Sequence, residues 1–100
     1  MIKRIVKLTF KEEHISTFST LFDQVKNNIR AFEGCSHLEL WQDVNNPCIF
    51  FTYSFWESPS HLETYRHSDL FKTTWKETKV LFNDKPEAWS IEVRDHLSTR

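Results

Sequence analysis

Residues 2 to 10 alternate, with Ile2, Val6, Leu8 and Phe10 on one side and Lys3, Lys7 and Thr9 on the other. This period of two predicts a half-buried strand. Thr9 followed by Glu12 matches a capping box for the next element. From Ile15 the apolar positions fall at Phe18, Phe22, Val25, Ile29 and Phe32, spacings of three and four that line one face of a helix of about five turns. Gly34 ends it. Residues 35 to 43 and 47 to 56 predict a hairpin about Asn45-Asn46. With a two-residue turn, Trp41 faces Phe50, Glu39 faces Thr52, His37 faces Ser54 and Cys35 faces Trp56. That register makes a dry face of Leu38, Leu40, Ile49, Phe51, Tyr53 and Phe55. The other face, His37, Glu39, Trp41, Thr52, Ser54 and Trp56, mixes polar and aromatic groups.

The aromatic strand passes into helix through Glu57-Ser58-Pro59-Ser60. Ser58 can cap that helix, Pro59 fits its first turn, and Ser60 with Glu63 offers an overlapping capping box. Ser68-Asp69 starts a second helix. The first carries Leu62 and Tyr65, the second Phe71, Trp75, Thr78 and Phe82, and Trp89, Ile91 and Val93 alternate in a last strand. The order strand, helix, strand, strand, helix, helix, strand (βαββααβ) is a ferredoxin-like α+β arrangement, an antiparallel sheet with helices on one face. The third strand has large apolar residues on both parities, so the face without helices also needs a partner. Sheet-to-sheet homodimerisation is the simplest solution.

Length and composition sharpen this picture in a few places. One hundred residues make a single domain, with a core over about 2–94 and a tail at 95–100, burying roughly two thirds of its unfolded surface. Fifteen aromatics against one Gly is a heavy apolar load for that size, which again points to a subunit contact. The net charge is −1 and the basic residues are scattered, which excludes the electrostatic footprint of a nucleic-acid binder. No segment approaches the ~20 apolar residues that span a bilayer, and the alternating N-terminus is unlike a signal peptide. A cytoplasmic protein with no membrane partner is expected. Cys35 and Cys48 stand in no CxxC or Cys/His ligand spacing, so both are expected to be thiols and no metal site is predicted.

No phosphate loop, HExxH or GxSxG motif is present. His14, His61, His67 and His96 fall on predicted helices or in the tail, where solvated surface positions are expected. His37 differs, because its predicted face also holds Glu39, Trp41, Thr52, Ser54 and Trp56. A histidine there can take a proton from a phenolic substrate while the aromatics stack on its ring, or it can simply lie in a subunit contact or in solvent.

Gly34-Cys35, Asn45-Asn46-Pro47, the strand ending at Trp56 and the junction that follows make the chain resemble the antibiotic-biosynthesis monooxygenase family of dimeric α+β barrels, from Ile2 to Val93. The resemblance implies a homodimer and oxidation of phenolic polycycles without metal, flavin or other cofactor. The substrate anion itself would reduce oxygen, and the protein would deprotonate it, orient it and exclude water. The family's pocket tryptophan falls on Trp56. Its pocket asparagine falls on Thr52 and its pocket tyrosine on Leu62, both departures. In the related haem-degrading monooxygenases, the asparagine, tryptophan and haem-ligating histidine fall on Val6, Tyr65 and Trp75. None matches, and an indole offers iron no lone pair.

Two functions follow as expectations. One is a cofactor-independent monooxygenase acting on a small phenolic or quinol-like aromatic, with His37, Trp56 and Thr52 as catalytic candidates and Trp41, Tyr65, Trp75 and Leu62 binding the substrate. The other is a non-catalytic dimeric barrel that binds a small molecule.

Overall fold

The computed structural model describes residues 1–98. Four strands, β1 (Ile2–Thr9), β2 (Cys35–Gln42), β3 (Ile49–Trp56) and β4 (Glu87–Ile91), form one antiparallel sheet in the order β2-β3-β1-β4. Three helices, α1 (Ile15–Arg30), α2 (Pro59–Arg66) and α3 (Asp69–Lys79), cover one face. This is the ferredoxin-like α+β order that the periodicity predicts. The last two residues of the expected tail at 95–100 lie outside the described residues.

Helix starts follow local chemistry at two of three sites. Ser58 Oγ accepts from the His61 amide at 3.2 Å with Pro59 in the first turn of α2, and Ser68 Oγ accepts from the Phe71 amide at 3.1 Å in α3. The capping box predicted at Thr9 and Glu12 does not form. Thr9 stays in the strand, its carbonyl accepting from the Asn83 amide at 2.8 Å, and Phe10 continues as a single bridge to Phe82. A one-turn 3-10 helix at Glu12–His14 then leads into α1 with no side-chain cap at either start.

Helix α1 ends at Arg30, short of Gly34, and unwinds through hydrogen bonds from Phe32 to Ile29 and from Cys35 to Phe32. Gly34 has φ +92°, and its carbonyl accepts from the Glu57 amide at 2.9 Å, tying the entry of β2 to the exit of β3.

The hairpin register differs from the expected one by a residue. Asp43 Oδ2 accepts from the amides of Asn45 and Asn46 at 3.0 and 2.8 Å, Asn46 Oδ1 accepts from the Cys48 amide, and the Asp43 amide closes the loop on the Ile49 carbonyl. This longer loop pairs Trp41 with Phe51, Leu40 with Thr52 and Leu38 with Ser54, in place of the two-residue turn. A one-residue slip exchanges the two faces of a strand. Leu38 and Leu40 therefore join Thr52, Ser54 and Trp56 beneath the helices, while His37, Glu39 and Trp41 join Phe51, Tyr53 and Phe55 on the open face. An irregularity between Cys35 and His37 restores Cys35 opposite Trp56.

Two apolar clusters lie between sheet and helices. Leu8, Phe10, Phe18, Phe50 and Leu81 form the larger, and Cys35, Trp56 and Leu62 the smaller, with Phe32 and Tyr65 packed on it. No helix among the described residues is long and apolar enough to cross a membrane.

Candidate functional site in the helix–sheet cavity

Side-chain size along the covered face decides where space remains. On β3 the inward residues run Phe50, Thr52, Ser54, Trp56, large at the ends and small between. Across the sheet, Thr52 aligns with Val6 and Ala88 in one row, and Ser54 aligns with Arg4 and Ser90 in the next. Thr52, Val6 and Ala88 in one row and Ser54 and Ser90 in the other are short, and apart from Arg4 they leave the helices unsupported over the middle of the sheet. A cavity of about 300 Å³ results, reached by residues of both apolar clusters.

Its walls are largely aromatic. Trp56 is 1% exposed, stacks on Tyr65 with centroids 4.8 Å apart, and donates its indole N–H to Ser54 Oγ at 3.0 Å. Phe71 and Trp75 stack at 5.9 Å on the α3 side, and Leu62 closes the α2 side. Burial, and then the nearby Cys35, push the Tyr65 phenol well above its ordinary range, so it stays neutral.

Two cations border this apolar space. Arg66 is exposed and held by Glu63 at 3.0 Å. Arg4, half-buried on β1, donates from Nη1 to Ser90 Oγ at 2.9 Å. Burial and then the like charge of Arg66 lower its pKa, with Glu63 acting in the opposite sense. No carboxylate, imidazole, amine or thiol lines the cavity among the described residues. Nor do those residues contain a group of three His, Cys, Asp or Glu side chains placed to hold a metal ion.

Thr52, Trp56, Leu62, Tyr65 and Trp75, all singled out from the sequence, thus surround one space. His37 and Trp41 do not, because the changed register puts the sheet between them and the cavity. On the open face the His37 ring bonds the Glu39 carboxylate, and Trp41 donates to the same carboxylate at 2.7 Å. These bonds, Trp41's first, hold the Glu39 carboxyl below its usual range. Sequence reasoning missed Arg4 and gave Ser54 no role. The signal for Arg4 was its parity, a charged residue on the Val6 and Leu8 side of β1.

Comparison with known proteins agrees with this fold. The family model for antibiotic biosynthesis monooxygenase matches residues 1–77. No curated protein matches the sequence. Among solved structures, an antibiotic biosynthesis monooxygenase superposes with a TM-score of 0.89 at 17% identity, covering 95% of this chain and 100% of that one. A conserved protein from Methanosarcina mazei Go1 gives 0.86 at 22% identity, covering 90% and 89%. Rv0793 from Mycobacterium tuberculosis gives 0.87 at 16% identity, covering 97% and 98%. At these identities the likeness establishes the fold.

Proposed function

The chain belongs to the antibiotic biosynthesis monooxygenase family, and from that membership we propose that it is a cofactor-independent monooxygenase acting on a small phenolic or quinol-like aromatic held between sheet and helices. The observation that carries this reading is the cavity itself, closed by Trp56, Tyr65 and Trp75 and large enough for a small fused-ring ligand. In the balanced reaction the ring CH₂ of an anthrone and O₂ become C=O and H₂O, or a hydroquinone and O₂ become a hydroxyquinone and H₂O, the substrate supplying all four electrons in either case. The protein contributes orientation and exclusion of water. Trp56 and Tyr65 form the stacking wall, Trp75 and Leu62 close the helix side, and the Thr52 hydroxyl faces the ligand from the floor.

The working unit in this proposal is a homodimer joined through the open sheet face. Trp41, Tyr53 and Phe55 form a continuous aromatic cluster there, with the Lys3 ammonium 4.3 Å from the Phe55 ring centroid. His37 belongs to this surface, and any contribution it makes is to association.

One observation favours a second reading, a non-catalytic binder of small aromatics: among the described residues none lining the cavity is a carboxylate, imidazole or amine that could act as a base. Oxygen-electrode measurements against a panel of anthrones and hydroquinones separate the two. Stoichiometric oxygen uptake that Trp56→Ala abolishes supports the oxygenase. Saturable ligand binding with no uptake above the uncatalysed rate leaves only the binder.

A further inference from the structure

Arg4 is the one feature of the cavity that neither packing nor family membership explains. It occupies an inward position on β1, where Val6 and Leu8 are apolar. A half-buried guanidinium beside apolar groups keeps part of its charge in water, and a ligand anion would take the place of that water. Arg66 and Lys26, both exposed, have carboxylate partners in Glu63 and Asp23. Among the described residues Arg4 has no carboxylate within ion-pair distance. Among the described residues its single acceptor is the neutral Ser90 hydroxyl, and the rest of its five N–H donors have none.

The residue directly opposite is a second incomplete donor. Ser54 is 6% exposed and lies in register with Arg4 across the β1–β3 ladder. Its oxygen accepts the Trp56 indole N–H, and its own O–H has no protein acceptor among the described residues. Cross-strand neighbours lie roughly 5 Å apart at Cβ, and with Arg4 Nη1 turned to Ser90 on the far side of β1, a ligand oxygen would sit between Ser54 and the guanidinium's remaining donors. The cavity is therefore polarised, with hydrogen-bond donors and a positive charge on its floor beside flat aromatic walls.

We propose that Arg4 and Ser54 form an anion-binding end of the cavity, holding the ionised oxygen of a planar aromatic ligand, a carboxylate or a phenolate, whose ring stacks against Trp56 and Tyr65. The assignment rests on the reading that the cavity takes an aromatic ligand. It also supplies what the oxygenase chemistry lacks. With no base in the lining and Tyr65 held neutral, a phenol entering the cavity gives its proton to water, and Arg4 shifts that equilibrium toward the phenolate. Arg66, paired with Glu63, adds to the positive potential without being the contact.

Isothermal titration calorimetry at neutral pH with 2-naphthoate and its uncharged analogue 2-naphthamide tests the carboxylate case. The parent protein is expected to bind naphthoate about tenfold or more tightly than the amide, as charge-assisted hydrogen bonds imply. Arg4→Met, which keeps the unbranched stem, should bring the ratio to about one while leaving the amide's affinity in place. Arg4→Lys should retain part of the preference. A purely structural role for Arg4 would weaken both probes together. For the phenolate case, ultraviolet titration of bound 1-naphthol should show ionisation at lower pH than in buffer, and the shift should vanish in Arg4→Met.

Preference for naphthoate alone assigns the site to carboxylates, and a naphthol shift alone assigns it to phenolates. Equal affinity for both naphthalene probes with an unshifted naphthol overturns the proposal, as does selectivity that survives Arg4→Met. If the amide binds without anion preference, the aromatic cavity stands and the anion site fails. If no probe binds, both fail. Anion selectivity without oxygen uptake refutes only the oxygenase.

Discussion

Gly34 holds φ +92° where an added Cβ would come within 2.5 Å of the His61 side chain. That imidazole cannot simply swing aside, because its Nδ1 is bonded to Ser58 Oγ at 2.7 Å. Gly34→Ala should therefore cost about 2 kcal/mol or more in urea unfolding, from backbone strain and the clash together. Tyr65 gives a second prediction at this scale. Burial raises its pKa above the ordinary value of 10.0, and burial likewise raises the Cys35 thiol from 9.0, against backbone hydrogen bonding at His37 and the charge of Arg30. Both groups hold their protons to higher pH folded than unfolded. Their contribution is complete below the unfolded values and is lost as pH rises through the folded ones. Thermal melts should show Tm falling above about pH 9, with a shallower fall in Tyr65→Phe. Individual residues were legible in the sequence where their role was local, as at Ser58. Arg4 was legible only as an anomaly of parity, since what it faces depends on three other strands.

The elements show the same division between local and non-local information. Ser68 caps α3 with a bond that its own sequence neighbourhood dictates, so Ser68→Ala should destabilise by about 1 kcal/mol in chemical denaturation. The hairpin was harder to read. Asn45-Asn46 looks like a two-residue turn, but the Asp43 carboxylate gathers two amides and lengthens the loop, and this single side chain decides which parity of β2 meets the helices. The presence of both strands was evident from their composition. Their relative register was not, because two strands with large residues on both faces carry no alternation to fix it. Thr52, Trp56, Leu62, Tyr65 and Trp75 were gathered through the family resemblance, which does not depend on the register, whereas His37 and Trp41 were placed by the register and lie on the opposite face. Four of the five lie on β3 and α2 or follow directly from the capped junction between them and α3.

For the whole molecule, the element order was fully legible and the uncovered sheet face was foreseeable from the two-sided apolar character of β3. The proposed dimer predicts burial of roughly 2,000 Å² or more through that face. Phe55→Glu, which places a charge within the aromatic cluster of that face, should convert a dimer to a monomer in sedimentation equilibrium at micromolar concentration. A parent protein that sediments as a monomer would remove the dimer from the account. The sheet also divides the four indoles of the chain into two populations. Trp56 and Trp75 look into the cavity, whereas Trp41 and Trp89, 38% and 45% exposed, sit on the open side. Emission from the first pair should be shifted to the blue and respond to a bound chromophore, while emission from the second should respond to water leaving the sheet. Replacing either pair with Phe would turn the remaining one into a built-in optical probe, so that occupancy of the interior and meeting of two chains can be followed separately, in one cuvette and without a label.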